Sequence, residues 1–163
     1  MTSRIVDLET WPRAAQFHFF RTYQQPHYAT TTRLDVTHLM GRKADGVSPY
    51  RACLYAIGAG LHAVSELCMR FRGDVVVAHD VVTLSMTVPT QAGSFGYAYV
   101  PFVADFSSFD AQAKALIEAV ARGDALQANS GERDDLAYLS CMPWLDYTSI
   151  NNALPGPNDC IPR

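Results

Sequence analysis

No stretch of the sequence is both long and apolar. The longest candidate, Cys53 to Val64, is broken by Gly58, Gly60 and His62, too short and too interrupted to span a bilayer. No basic stripe is present either. The 13 Lys and Arg are scattered among 16 Asp and Glu for a formal net charge of −3, which excludes the electrostatic footprint expected of a nucleic-acid binder. The opening MTSRIVDLETW carries acids and lacks an apolar segment, so it does not read as a signal peptide. Cys53, Cys68, Cys141 and Cys160 show no CxxC spacing. Without an export signal, dispersed cysteines read as reduced, partly buried thiols of a cytoplasmic protein. Internal repeats and low-complexity tracts are also missing.

What is present is a globular balance. The 163 residues are 48% apolar and 18% charged, enough for a single domain, residues 1–163, with one sizeable core. Thr10 and Pro12 predict the start of a helix running through AAQFHFFRTY and ending before Pro26. The alternation in ATTTRLDVTHL predicts a strand with one wet face. Ser48-Pro49 opens the longest predicted helix, with Cys53, Ile57, Leu61, Val64 and Cys68 at helical spacing. DVVVAHD, VVTLSMTVP and SFGYAYVPF read as three strands, being rich in β-branched and aromatic residues. Ser108 or Asp110 is expected to cap a further helix that stops at Gly123, and LAYLSCMPW to form another strand. The last few residues of NNALPGPNDCIPR read as the start of one more. Strands mixed irregularly with helices indicate an α+β fold, a two-layer α/β sandwich with a mixed β-sheet.

Isolated chemical motifs are weak. His62 and Glu66 stand one helical turn apart, a metal-ligand spacing, but no second histidine matches them, and Gly60 and Ala63 suggest close packing instead. His79 and Asp80 are neighbours in an extended run and face opposite ways, so a turn histidine is the better reading. Cys141 has no nearby base, and no metal set emerges. The aromatics are more informative. Phe19, Phe20, Tyr23 and Tyr28 gather after the first helix, and Phe95, Tyr97 and Tyr99 alternate on a strand. Together with PWLDYTSI they sketch an apolar pocket with hydroxyls at one side.

Trp11, Arg13, Phe17, Phe19, Phe20, Arg21, Pro26, Asp35, Thr37 and Leu39 form a pattern that resembles the opening of the chloramphenicol acetyltransferases. LAYLSCMPWLDYTSI is similar to that family's strand, in which a Pro-Trp pair leads to a short aromatic segment and a serine. The resemblance implies the fold of coenzyme-A-dependent acyltransferases. It also implies acetyl transfer from acetyl-coenzyme A to a hydroxyl of chloramphenicol or a related acceptor, the chemistry of antibiotic resistance. Acceptors of another kind, and a non-catalytic pocket-bearing role, stay open.

On that resemblance Ser149 is the donor to the tetrahedral oxyanion, and Arg13 pairs with the aspartate of an HHxxxDG motif, holding the loop of the catalytic histidine. Phe19, Phe20, Phe95 and Tyr97 face the acceptor. Phe20 stands where a tyrosine is common, and Tyr97 is bulkier than the expected residue, which implies a differently shaped pocket. The family assembles as a homotrimer, with no metal. The 163 residues contain no His-His pair. The expectation is therefore the N-terminal three quarters of such a domain, lacking its catalytic base.

Overall fold

The computed structural model describes residues 2–24, 26–123, 128–150 and 160–163. Two three-stranded sheets and two long helices carry the architecture. In the first sheet β1 (Ser3–Ile5) and β2 (Met69–Arg72) flank β3 (Val75–His79), all antiparallel. Gly73, at φ 63°, turns β2 into β3, as the handedness of a two-residue hairpin requires. The short helix α1 (Ala14–Phe20) lies on this sheet. Phe17 packs edge-on to Phe71, with Val6, Val76 and Ala78 beneath. Arg21 pins the helix end to the hairpin, donating to Gly73 O at 2.7 Å and Asp74 Oδ1 at 3.1 Å.

The second sheet is mixed. Central β4 (Thr83–Pro89) pairs antiparallel with β5 (Phe95–Pro101) and parallel with β6 (Leu136–Leu139). Its apolar face, Leu84, Met86, Val88, Ala98, Val100 and Ala137, forms the main core with Leu54, Phe109, Ala113 and Val120. A second short helix, α2 (Thr37–Gly41), precedes α3 (Pro49–Ala63), which supplies Leu54, while α4 (Phe106–Arg122) supplies the other three. Ser48 Oγ accepts from Arg51 N at 3.4 Å with Pro49 in the first turn, the start that the sequence predicts. Arg51 then binds Asp110 bidentately, at 2.7 and 3.0 Å, tying α3 to α4. Gly123, at φ 108°, closes α4 as expected.

Several local expectations are corrected. Residues 29–36 form no strand, and Thr37–Gly41 is helical. Asp35 Oδ1 accepts from Thr37 N at 2.9 Å, a local bond that competes with strand pairing and starts the turn. Thr10 does not cap α1; its hydroxyl donates to Asp7 Oδ2 at 3.0 Å. The cap of α4 is Asp105, whose Oδ1 accepts from both the N–H and the hydroxyl of Ser108. Helix α3 stops at Ala63, and β2 follows directly on a 3-10 turn, Ser65–Cys68. Its buried face is Ala52, Leu54 and Gly58, which leaves Ile57 and Val64 exposed. The close approach lies at Gly58, where a Cβ would meet Phe102, and not at Gly60, which has open space.

His79 ends β3 opposite Ser3 and is buried, so it is a strand residue where a turn was expected. Its Nε2 lies 3.1 Å from Asp134 Oδ1 but misaligned for a hydrogen bond. β6 ends at Leu139, five residues earlier than LAYLSCMPW suggests, because β4 pairs with it only as far as Met86. Residues 151–159 lie outside the described residues. Beyond them Pro162 O accepts from Tyr138 N at 2.8 Å along the outer side of β6.

Candidate active site

Strand β6 delivers the chain into the segment that carries the predicted serine. Two cavities adjoin there, sharing Leu139, Ser140, Met142 and Tyr147 in their walls. The first, about 720 Å³, is completed by the extended segment around Thr31 and Leu34 and by Tyr50, Cys53 and Ile57 of α3. The second, about 640 Å³, lies on the mixed sheet against Ser85, Thr87, Tyr97 and Tyr138. Both volumes suit a ligand of ordinary metabolite size. Thr148 lines the first and Ile150 the second, with Ser149 between them in the chain, exposed. Among the described residues its hydroxyl has no partner within the protein, so it can donate outward.

Nucleophilic catalysis is poorly served here. Burial, with a smaller contribution from Cys141, pushes the Cys53 thiol and the Tyr50 hydroxyl above their ordinary values. Both therefore stay protonated at neutral pH. Among the described residues no histidine lines either cavity. His62 is committed elsewhere: Val82 N donates to its Nε2 at 3.1 Å, so the proton sits on Nδ1, which donates to Gly58 O at 2.7 Å. It therefore bonds α3 to the entry of the mixed sheet.

Residues 1–161 match the chloramphenicol acetyltransferase family. The chain belongs to that family. It is 23% identical over 147 residues to chloramphenicol acetyltransferase 3 of Escherichia coli, covering 89% of this chain and 69% of that enzyme. To the chloramphenicol acetyltransferase of Proteus mirabilis it is 26% identical over 159 residues, 95% of this chain and 72% of the other. A solved chloramphenicol acetyltransferase superposes with a TM-score of 0.86 at 29% identity, covering 96% of this chain and 77% of its own. The α+β architecture is thus that of an acetyltransferase family.

The predicted site residues fall into separate groups. Arg13, at the start of α1, reaches Glu66 Oε1 at 3.0 Å. Backbone and Ser65 hydrogen bonds, and after them the Arg13 charge, hold the Glu66 carboxyl below its ordinary value. Its partner here is thus Glu66 rather than the motif aspartate that the resemblance implies. Phe19 and Phe20 are 58% and 50% exposed and stack edge-on to each other at 5.2 Å. Phe95, 59% exposed, meets Tyr97 at 5.8 Å, and of the four only Tyr97 lines a cavity described above. No ring contact joins the two pairs among the described residues.

Sequence reasoning missed Ser85 and Tyr138, whereas Tyr147, part of the PWLDYTSI segment expected at the pocket, lines both cavities. The signal was available in TLSMTVP, where Thr83, Ser85 and Thr87 alternate with Leu84, Met86 and Val88. Only the apolar half of that alternation faces the core.

Proposed function

We propose that the protein transfers the acetyl group of acetyl-coenzyme A to a hydroxyl of chloramphenicol or a related acceptor. The observation that carries this reading is that exposed Ser149 follows Thr148, which lines one cavity of substrate size, and precedes Ile150, which lines the other. In the proposed reaction a base removes the acceptor's hydroxyl proton, and the alkoxide attacks the thioester carbonyl. The Ser149 hydroxyl donates to the oxyanion that forms. Collapse of that intermediate expels the coenzyme A thiolate, which takes the proton back from the base. An alcohol is a poor nucleophile at neutral pH, so the base is indispensable. On the family resemblance it is the histidine of an HHxxxDG segment, which the 163 residues do not contain and which must act in cis or in trans. Arg13 would then exchange Glu66 for that segment's aspartate.

A homotrimer acting in the cytoplasm completes the reading. Tyr28, Leu34 and Trp144 are 75% or more exposed, an apolar surface that association would cover, and the four cysteines are free thiols. A monomer in sedimentation at micromolar concentration would count against the trimer. The catalytic test is thiol release from acetyl-coenzyme A in the presence of chloramphenicol, with and without a histidine-bearing C-terminal segment from a relative. Activity is expected only with the segment, and Ser149→Ala should then lower turnover by roughly 10²- to 10³-fold with acceptor binding retained. Vigorous acetylation by the 163-residue chain alone would refute the assignment of the base.

A further inference from the structure

The mixed sheet has a second face, and it is polar. Thr83, Ser85 and Thr87 of β4 stand in register with Pro101, Tyr99 and Tyr97 of β5, and Ser85 pairs with Tyr138 of β6. At the Thr83 end the polar groups satisfy one another. Arg133 Nη2 donates to Thr83 Oγ1 at 2.9 Å and to Asp135 Oδ2 at 2.6 Å, and its guanidinium lies over the Tyr99 ring. Two residues along the strand that completeness fails. Ser85 is only 2% exposed, yet its Oγ has no hydrogen-bond partner among the described residues. It also lines the cavity of about 640 Å³.

A buried hydroxyl without a partner destabilises a fold, and an alanine of nearly the same size would avoid the cost. The cavity supplies the missing context. Around Ser85 the described lining residues include Thr87, Tyr97, Tyr138, Ser140 and Tyr147, all bearing hydroxyls, of which that of Tyr138 also accepts from Asn129 Nδ2 at 3.1 Å. Every one can both donate and accept. Among the described residues no acid lines the cavity, and the one cation, Arg163, lies over the Tyr138 ring. Such a wall offers no counter-charge to an ammonium group and several donors and acceptors to a neutral ligand carrying hydroxyls.

We propose that this cavity selects a neutral polyhydroxylated acceptor, with Ser85 as the specificity-determining residue at its floor. The inference rests on the acyl-transfer reading only in calling the ligand an acceptor; binding is tested without turnover. The 163-residue chain is titrated calorimetrically with 4-nitrophenyl β-D-glucopyranoside and with 4-nitrobenzyl alcohol. The two share an aryl group and a primary hydroxyl and differ in the further hydroxyls. The glucoside should bind more tightly, and Ser85→Ala should weaken it by about 10-fold while leaving the benzyl alcohol unchanged. The same substitution should raise the melting temperature, because it removes an unpaired buried hydroxyl.

A glucoside that binds no better than the benzyl alcohol, or binds Ser85→Ala equally well, overturns the proposal. So does a lowered melting temperature, which would mean that Ser85 has a structural partner. Failure of the acyl-transfer reading shows elsewhere, as an absence of acetyl-coenzyme A binding, and leaves these titrations standing.

Discussion

Arg70 is the most deeply buried charge among the described residues, at 1% exposure. From β2 its guanidinium donates to four carbonyls: Leu67 O at 2.8 Å, Met69 O at 2.6 Å, Asp134 O at 2.9 Å and Leu136 O at 2.6 Å. The last two lie at the start of β6, so one side chain joins the antiparallel sheet to the mixed one. Each charge-assisted bond contributes about 1.5–3 kcal/mol gross, and desolvation of the buried cation offsets several kcal/mol of the sum. Truncation, however, leaves the carbonyls unpartnered, and removing one member of such a buried array typically costs about 3–5 kcal/mol. Arg70→Met keeps the volume and removes the donors. With a urea dependence of about 2 kcal/mol per molar, the unfolding midpoint should fall by about 2 M. Arg70→Lys should recover only part of this, since a single ammonium cannot reproduce the fork. Circular dichroism during urea titration measures both. A shift below about 0.5 M for Arg70→Met would mean that the four carbonyls find other partners, and that the two sheets are joined by packing alone.

Gly58→Ala places a Cβ 2.5 Å from Phe102 Cδ2, and Phe102 is stacked on His62 at 4.4 Å and cannot swing away freely. The loss should be about 1–2 kcal/mol despite the helix-propensity gain, while Gly60→Ala, with open space around it, should stabilise by about 0.5–1 kcal/mol; equal effects in thermal melts would refute the packing argument. Burial raises the Asp135 carboxyl, but the hydrogen bond and charge of Arg133, with the Thr83 hydroxyl, outweigh it and hold the group below its ordinary value. A carboxyl depressed in the fold adds stability above its unfolded value and loses it as pH falls through the folded one. The stability advantage of wild type over Arg133→Met should therefore be full near neutrality and shrink below about pH 4; a constant difference across an acid titration would contradict it. Arg13→Ala breaks an ion pair whose arginine is largely exposed, so its small effect on the melting temperature should disappear at high salt, and a salt-independent loss would assign Arg13 a structural role.

Legibility in the sequence followed the range of the forces involved. The two long helices and the strands from Val75 to Pro101 were readable because local signals and packing agree: Ser48-Pro49 caps a helix, and alternating β-branched residues pair with partners close in sequence. β1 and β2 were not readable. Three residues of β1 gain their order from β3, more than 70 positions away, and MRFR follows a helical pattern that the 3-10 turn ends. LDVTHL failed for the opposite reason: its alternation was real, but Asp35 had a nearer use for its carboxylate than a strand has. For the candidate site, resemblance nominates Ser149 and Arg13, whereas the pairing of Arg13 with Glu66 came only from the fold. Ser85 was hidden because a serine within an apolar alternation is ordinary until its partner is shown to be missing.

The mixed sheet explains why stability and specificity occupy opposite sides of the same strand. Leu84, Met86 and Val88 are sealed under α3 and α4, so substitutions there are judged by volume. Thr83, Ser85 and Thr87, one residue out of phase, face a surface on which Arg133 and Asp135 satisfy one end only. Because side chains alternate strictly, neither set can change faces without a shift of register that would expose the whole core. The core therefore fixes where Ser85 points to within the pleat of a strand. A polar group held that rigidly and left unpaired among the described residues is suited to discriminate among ligands, since reorienting it would require moving β4 itself.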